Sequence, residues 1–135
     1  MATLTPTLTL TGTAADFGAA LSLSVTKAST SSAPSRGVST IVATATANQS
    51  IIVPATTSVV YLFIRHTGTT DGSTSTVRQV DVENTDNEAF ARLSAEEFLF
   101  MPFHHAEASV GVQLHVQHSS SSDVVQLEYA FFTKG

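Results

Sequence analysis

Apolar residues recur at every second position through most of this chain, which is the period of a strand with one face buried. In the first segment Leu4, Leu8 and Leu10 alternate with threonines and Pro6 interrupts the run, predicting an edge strand or an arm that pairs with something else. Leu21, Leu23 and Val25 alternate with Ser22, Ser24 and Thr26 in ALSLSVTK, and ASTSSAPSRG, 28–37, reads as a surface loop by composition. GVSTIVATATA and NQSIIVP supply two further short strands around a turn at Asn48. SVVYLFIRHTG, 58–68, is apolar on both faces up to Ile64, as expected of a central strand in a sandwich core.

The stretch TGTTDGSTST, 67–76, carries Asp71 and Gly72 at its tip, a hairpin signal. It leads into VRQVDVEN, where Val80 and Val82 face one way and Gln79, Asp81 and Glu83 the other. In ARLSAEEFLFMPFHH, 91–105, the apolar run is expected to end its ladder at Pro102, with His104 and His105 capping it. Further on, Val110, Val112, Leu114 and Val116 oppose Gln113, His115 and Gln117, and the last strand turns Val125, Leu127, Tyr129 and Phe131 inward. Helix is confined to single turns at 16–20 or 94–97.

Turn signals about 8 to 12 residues apart predict an all-β fold, an antiparallel, jelly-roll-like β-sandwich of about eight or nine strands. The expected division is an N-terminal strand or arm over residues 1–13 and a single sandwich domain over 14–135. The predicted core comprises Val60, Leu62, Ile64, Phe100, Leu114, Val116, Leu127 and Phe131.

Composition narrows the function. Its 135 residues suffice for one domain with its own core, and the absence of cysteine excludes a disulfide framework and a cysteine zinc site. The net charge of −5 and only six Lys and Arg give no basic stripe for a nucleic acid. MATLTPTLTLTG has no charged n-region, which argues against a signal peptide, and no apolar run approaches the roughly 20 residues of a membrane span. Ser and Thr form roughly a quarter of the chain while charged residues are 13%, a surface suited to being covered by neighbours.

Candidate chemistry is sparse. His104, His105, His115 and His118 lie within fifteen residues. On strands, however, HVQH places its imidazoles on opposite faces and about 10 Å apart, so no metal and no cofactor are expected. In DVENTDNE, Asp81, Glu83, Asp86 and Glu88 offer hard oxygens, yet Asp86 stands where an EF-hand needs Gly and Arg92 where it needs the bidentate Glu. Asp123 lies near a histidine and the serines at 119–122, and Glu96 adjoins Glu97, but no GxSxG elbow, Walker sequence or GxGxxG is present. No catalytic residue is assigned. An aromatic platform for sugar is hard to build without Trp and with Tyr61 and Tyr129 at apparent core positions.

The order LTPTLTLTGT, ALSLSVT, SVVYLFIRHTGT, LSAEEFLFMPF and LEYAFFTKG resembles small virion structural proteins of tailed bacteriophages, particularly those of aquatic hosts. That resemblance implies a non-enzymatic β-sandwich that decorates or cements a capsid, or that serves elsewhere in the particle. It implies as partners a major capsid protein and copies of the chain itself in a homo-oligomer, a trimer being one form, with no nucleic acid and no membrane. The expected location is the capsid surface, with host cytoplasm during assembly. A carbohydrate-binding or tail-fibre module is the alternative, and a hydrolase the third reading.

Overall fold

The structure, a computed structural model, describes residues 2–31, 38–44, 50–53, 59–104, 111–117 and 122–134. Its first part is a long two-stranded ribbon built from β1 (Ala2–Leu4), β2 (Thr7–Gly12), β3 (Leu21–Thr26) and β4 (Ser29–Ser31). β1 pairs with β4 and β2 with β3, all antiparallel, and the break between the two ladders falls at Pro6, which cannot donate to one. At the tip a single helical turn, α1 (Ala14–Phe17), ends at Gly18, whose φ of 74° is the left-handed conformation that glycine adopts at least cost. The expected arm, 1–13, is thus one side of this ribbon, and the partner that it was expected to need is residues 21–26 of the same chain.

The remaining strands are β5 (Ser39–Ala43), β6 (Ser50–Val53), β7 (Val60–His66), β8 (Val80–Asn84), β9 (Ala89–Leu93), β10 (Phe98–Phe103), β11 (Val112–Val116) and β12 (Val125–Thr133). They form two four-stranded antiparallel sheets, β10-β7-β12-β5 and β6-β11-β8-β9. Counted from β5, these orders are 6-3-8-1 and 2-7-4-5, the jelly-roll arrangement. The described residues form twelve strands where eight or nine were expected: eight make the sandwich and four the ribbon.

Along the sandwich, every connection except that between β8 and β9 passes from one sheet to the other. The Asp71-Gly72 signal holds locally: Thr69 bridges Ser75 antiparallel and the Thr70 amide donates to the Thr74 carbonyl at 2.9 Å, a short hairpin inside the loop that carries the chain from β7 in one sheet to β8 in the other. The turn itself forms. Asp71 Oδ1 accepts the Ser73 and Thr74 amides at 2.9 and 2.7 Å, and Gly72, at φ 90°, approaches Gln126 so closely that a Cβ would sit 3.1 Å from its Oε1.

The core lies between the sheets. Val60, Leu62, Ile64, Val125 and Leu127 from the first sheet meet Val80, Val82, Val112, Leu114 and Val116 from the second, all fully or almost fully buried. Burying each such side chain contributes about 1.5–3 kcal/mol. Six of the eight predicted core residues are buried, and Phe131 packs against the core half-buried. Phe100 is a correction. LSAEEFLFMPF is apolar on both faces, and the register of β10 on β7 turns Leu99 and Phe103 inward and Phe98 and Phe100 outward.

Pro102 is another correction: it lies inside β10, opposite Tyr61, and the ladder continues to Phe103. β10 is the edge of its sheet, where a residue without an N–H is tolerated.

Candidate functional site

The second sheet holds the densest polar cluster among the described residues. Because side chains alternate, Val80, Val82, Leu114 and Val116 face the core while Asp81, Glu83, Gln113 and His115 share the opposite face. The β8–β11 register sets Asp81 opposite His115 and Glu83 opposite Gln113, while the β8–β9 register sets Asp81 opposite Arg92. These four polar residues of β8 and β11 are buried although their face is the outer one.

Burial of two carboxylates requires countercharge and hydrogen bonds. His115 Nδ1 lies 2.9 Å from Glu83 Oε2, and its Nε2 3.8 Å from Asp81 Oδ2. Arg92 donates from Nε to Asp81 Oδ1 at 2.8 Å and from Nη2 to Oδ2 at 3.4 Å. That hydrogen bonding, with the Coulomb attraction of Asp81, raises the guanidinium pKa above its ordinary value. Beside them Gln113 Nε2 donates to Asn87 Oδ1 at 3.0 Å.

Asp81, Glu83 and His115 offer ligand atoms within 4.8 Å of one another, two hard oxygens and an imidazole of the kind that suits a divalent cation. Yet Arg92 already holds both Asp81 oxygens, so a cation would have to displace a guanidinium or sit beside it. Arg92 brings a positive charge to Asp81, and the His115 ring stands between Asp81 and Glu83. The arrangement acts as an ion-pair network that lets this face be buried. Neither Asp81 with His115 nor Glu83 with His115 had been singled out from the sequence. The available signal was parity: each lies on the polar face of an alternating strand, and only the pairing of β8 with β11 was missing.

The other candidates stay apart. His104 is exposed beyond the end of β10, and His105, His118 and the serines at 119–121 lie outside the described residues. His66 is a fully buried core histidine with both ring nitrogens engaged: Gly68 N–H donates to Nδ1 at 2.9 Å, so Nε2 carries the proton and donates to the Arg78 carbonyl at 2.9 Å. Asp86 is exposed in the β8–β9 turn, which Asn84 organises by accepting the Asp86 and Glu88 amides on Oδ1. Asp123 pairs with Arg78 at 3.2 Å. Glu97 caps the β9–β10 turn by accepting the Ser94 amide at 2.7 Å, while Glu96 adopts φ 69° in the same turn.

A second candidate surface is apolar. On the outer face of the first sheet lie Tyr61, Phe63, Phe98, Phe100, Ala130 and Phe132, as the strand registers require. Tyr61 is therefore not in the core. Its ring stacks on Phe100 with centroids 6.2 Å apart, and its hydroxyl donates to Ser29 Oγ at 3.2 Å, tying the ribbon to the sheet. Between ribbon and sheet runs a groove of about 600 Å³, walled by Leu4, Pro6 and Leu8 on one side and Phe63, Phe98 and Phe100 on the other.

Beyond the groove the ribbon is two-faced. Register pairs Leu8 with Val25 and Leu10 with Leu23 on one side, and Thr7 with Thr26, Thr9 with Ser24 and Thr11 with Ser22 on the other. One face is aliphatic and the other carries only hydroxyls. The aliphatic residues remain between 39% and 52% exposed, because β2 and β3 pack on little besides each other.

The chain matches no protein-family model, no curated protein and no solved structure.

Proposed function

We propose that this chain is a non-enzymatic structural protein of a virion, a head-decoration subunit that binds and stabilises a preformed capsid lattice together with copies of itself. The observation that carries this reading is the ribbon: a two-stranded element with an unpartnered aliphatic face, joined to a jelly-roll body whose own core is complete without it. A lone two-stranded ribbon is marginal in water, so its exposed stripe reads as a contact element. The low-charge, hydroxyl-rich composition supports the same reading, since neutral groups enter a broad contact without desolvating charges. The resemblance of the segment order to phage virion proteins supplies the lattice as the partner.

The polar clusters support a role without catalysis, because each is closed by partners of its own. Jelly rolls serve in both capsid and lectin domains, so the architecture alone does not choose between them. The groove favours the former: among the described residues its walls are aliphatic, aromatic or threonine, with no charged or amide side chain to orient a sugar.

Antibody labelling of intact particles that contain the chain tests the proposal. The expected result is label over the head surface, with heads lacking the protein breaking at lower temperature. Label confined to the tail or fibre tips, or absent from particles, would overturn it.

A further inference from the structure

We infer that the aliphatic face of the ribbon is covered by the same face of a second copy of this chain. This deepens the reading of the ribbon as a contact element and rests on it. Leu8, Leu10, Leu21, Leu23 and Val25 all lie on one side of the β2–β3 ladder, and none is more than about two-thirds buried. Their exposed area is on the order of 400 Å², already as large as the biggest apolar patch of a typical monomer. Leu8 also lines the groove, together with Thr7 and Thr9, and across it stand Phe98, 61% exposed, and Phe100, 37% exposed. Together with Val38 these bring the apolar surface to roughly 700 Å², within the range of about 600–1,000 Å² that one partner contributes to a stable interface of standard size.

Charge selects the occupant. Neither β2 nor β3 contains a charged residue, and α1 at the tip contributes only Asp16. Apart from Lys27, exposed where the ladder continues past β3, this face carries no charge to steer an acidic or basic partner, and the net charge of −5 opposes an anionic bilayer. Two copies meet without like charges along β2 and β3. An isologous contact also matches width and leucine spacing automatically, because the two surfaces are identical. Stacking two such ribbons about 10 Å apart builds a small sandwich whose interior is the leucines and whose outside is the hydroxyl rows. Each ribbon thereby gains the second layer that a lone hairpin lacks.

The test uses purified full-length chain without particles, so its outcome is independent of where the protein resides in a virion. Light scattering coupled to size exclusion at micromolar concentration should give a multiple of the 14.2 kDa chain. Leu10→Lys with Leu23→Lys, opposite each other on the aliphatic face, should give monomer with the sandwich still cooperatively folded. Thr9→Lys with Ser24→Lys, an equivalent opposed pair on the hydroxyl face, imposes the same charge and the same strain on the ladder and should remain oligomeric. The inference is overturned if the unmodified chain is monomeric, if both variants dissociate alike, or if the aliphatic-face variant stays oligomeric. Monomer that instead floats with neutral phosphatidylcholine vesicles would assign the face to a lipid surface.

Discussion

Tyr61 Oη donates a hydrogen bond to Ser29 Oγ at 3.2 Å, linking the central strand of one sheet to the last strand of the N-terminal ribbon. It is a specific polar tie between two parts that otherwise meet through an apolar groove. Tyr61→Phe removes it while keeping the ring and its stack on Phe100. The expected cost is about 0.5–1.5 kcal/mol. Amide exchange should accelerate over residues 7–26 and stay unchanged in β7 and β12; equal acceleration in both would mean that the tie holds the sandwich and not the ribbon.

The two faces of the first sheet should answer differently to truncation. Leu62→Ala or Leu127→Ala opens a cavity in a fully buried site and should cost about 2–5 kcal/mol in denaturant unfolding. Phe100→Ala, at 37% exposure on the outer face, should cost clearly less. Comparable losses would place Phe100 in the core after all.

Stability should not depend on a bound cation. Arg92 engages both oxygens of Asp81, and His115 lies 2.9 Å from Glu83, so the buried carboxylates have their polar partners within the protein. Thermal midpoints with and without excess chelator are expected to coincide, and elemental analysis to find no stoichiometric metal. A midpoint lowered by chelator and restored by one divalent ion would identify Asp81, Glu83 and His115 as its ligands.

Asp71 makes the loop between β7 and β8 pH-sensitive. Amide hydrogen bonds from Thr74 and Ser73, then the Thr74 hydroxyl, stabilise its carboxylate and lower its pKa below the ordinary 3.8. The unfolded chain lacks these bonds and binds the proton more readily, so this contribution is present above the ordinary value and is lost as pH falls through the folded one. Asp71→Ala should therefore destabilise at neutral pH, with the gap from the unmodified chain narrowing as pH falls below the ordinary carboxylate value of 3.8. A gap that is unchanged in acid would remove the carboxylate from the explanation.

Strand parity was legible wherever apolar and polar residues strictly alternate. In VQLHV and VDVEN the inward valines follow from the period alone, because a strand's side chains must point to opposite faces. Parity fails where both faces are apolar. FLFMPF offers Leu99, Met101 and Phe103 on one side and Phe98 and Phe100 on the other, and only pairing with β7 decides which side enters the core.

By itself, then, the sequence determined that the chain is built from alternating strands, where Pro6 breaks one of them, and which polar residues share a face within a strand. Only the tertiary structure decided which strands become neighbours. Asp81 and His115 meet because β8 lies beside β11, a contact between segments more than thirty residues apart that no local preference encodes. The leucines of TLTLTG and LSLSVT carry the same alternation as core strands, yet they pair with each other outside the sandwich. The physical reason is that alternation specifies an apolar face but not what covers it. Covering is settled by the competition among all such faces for a limited core, and eight other strands fill that core here.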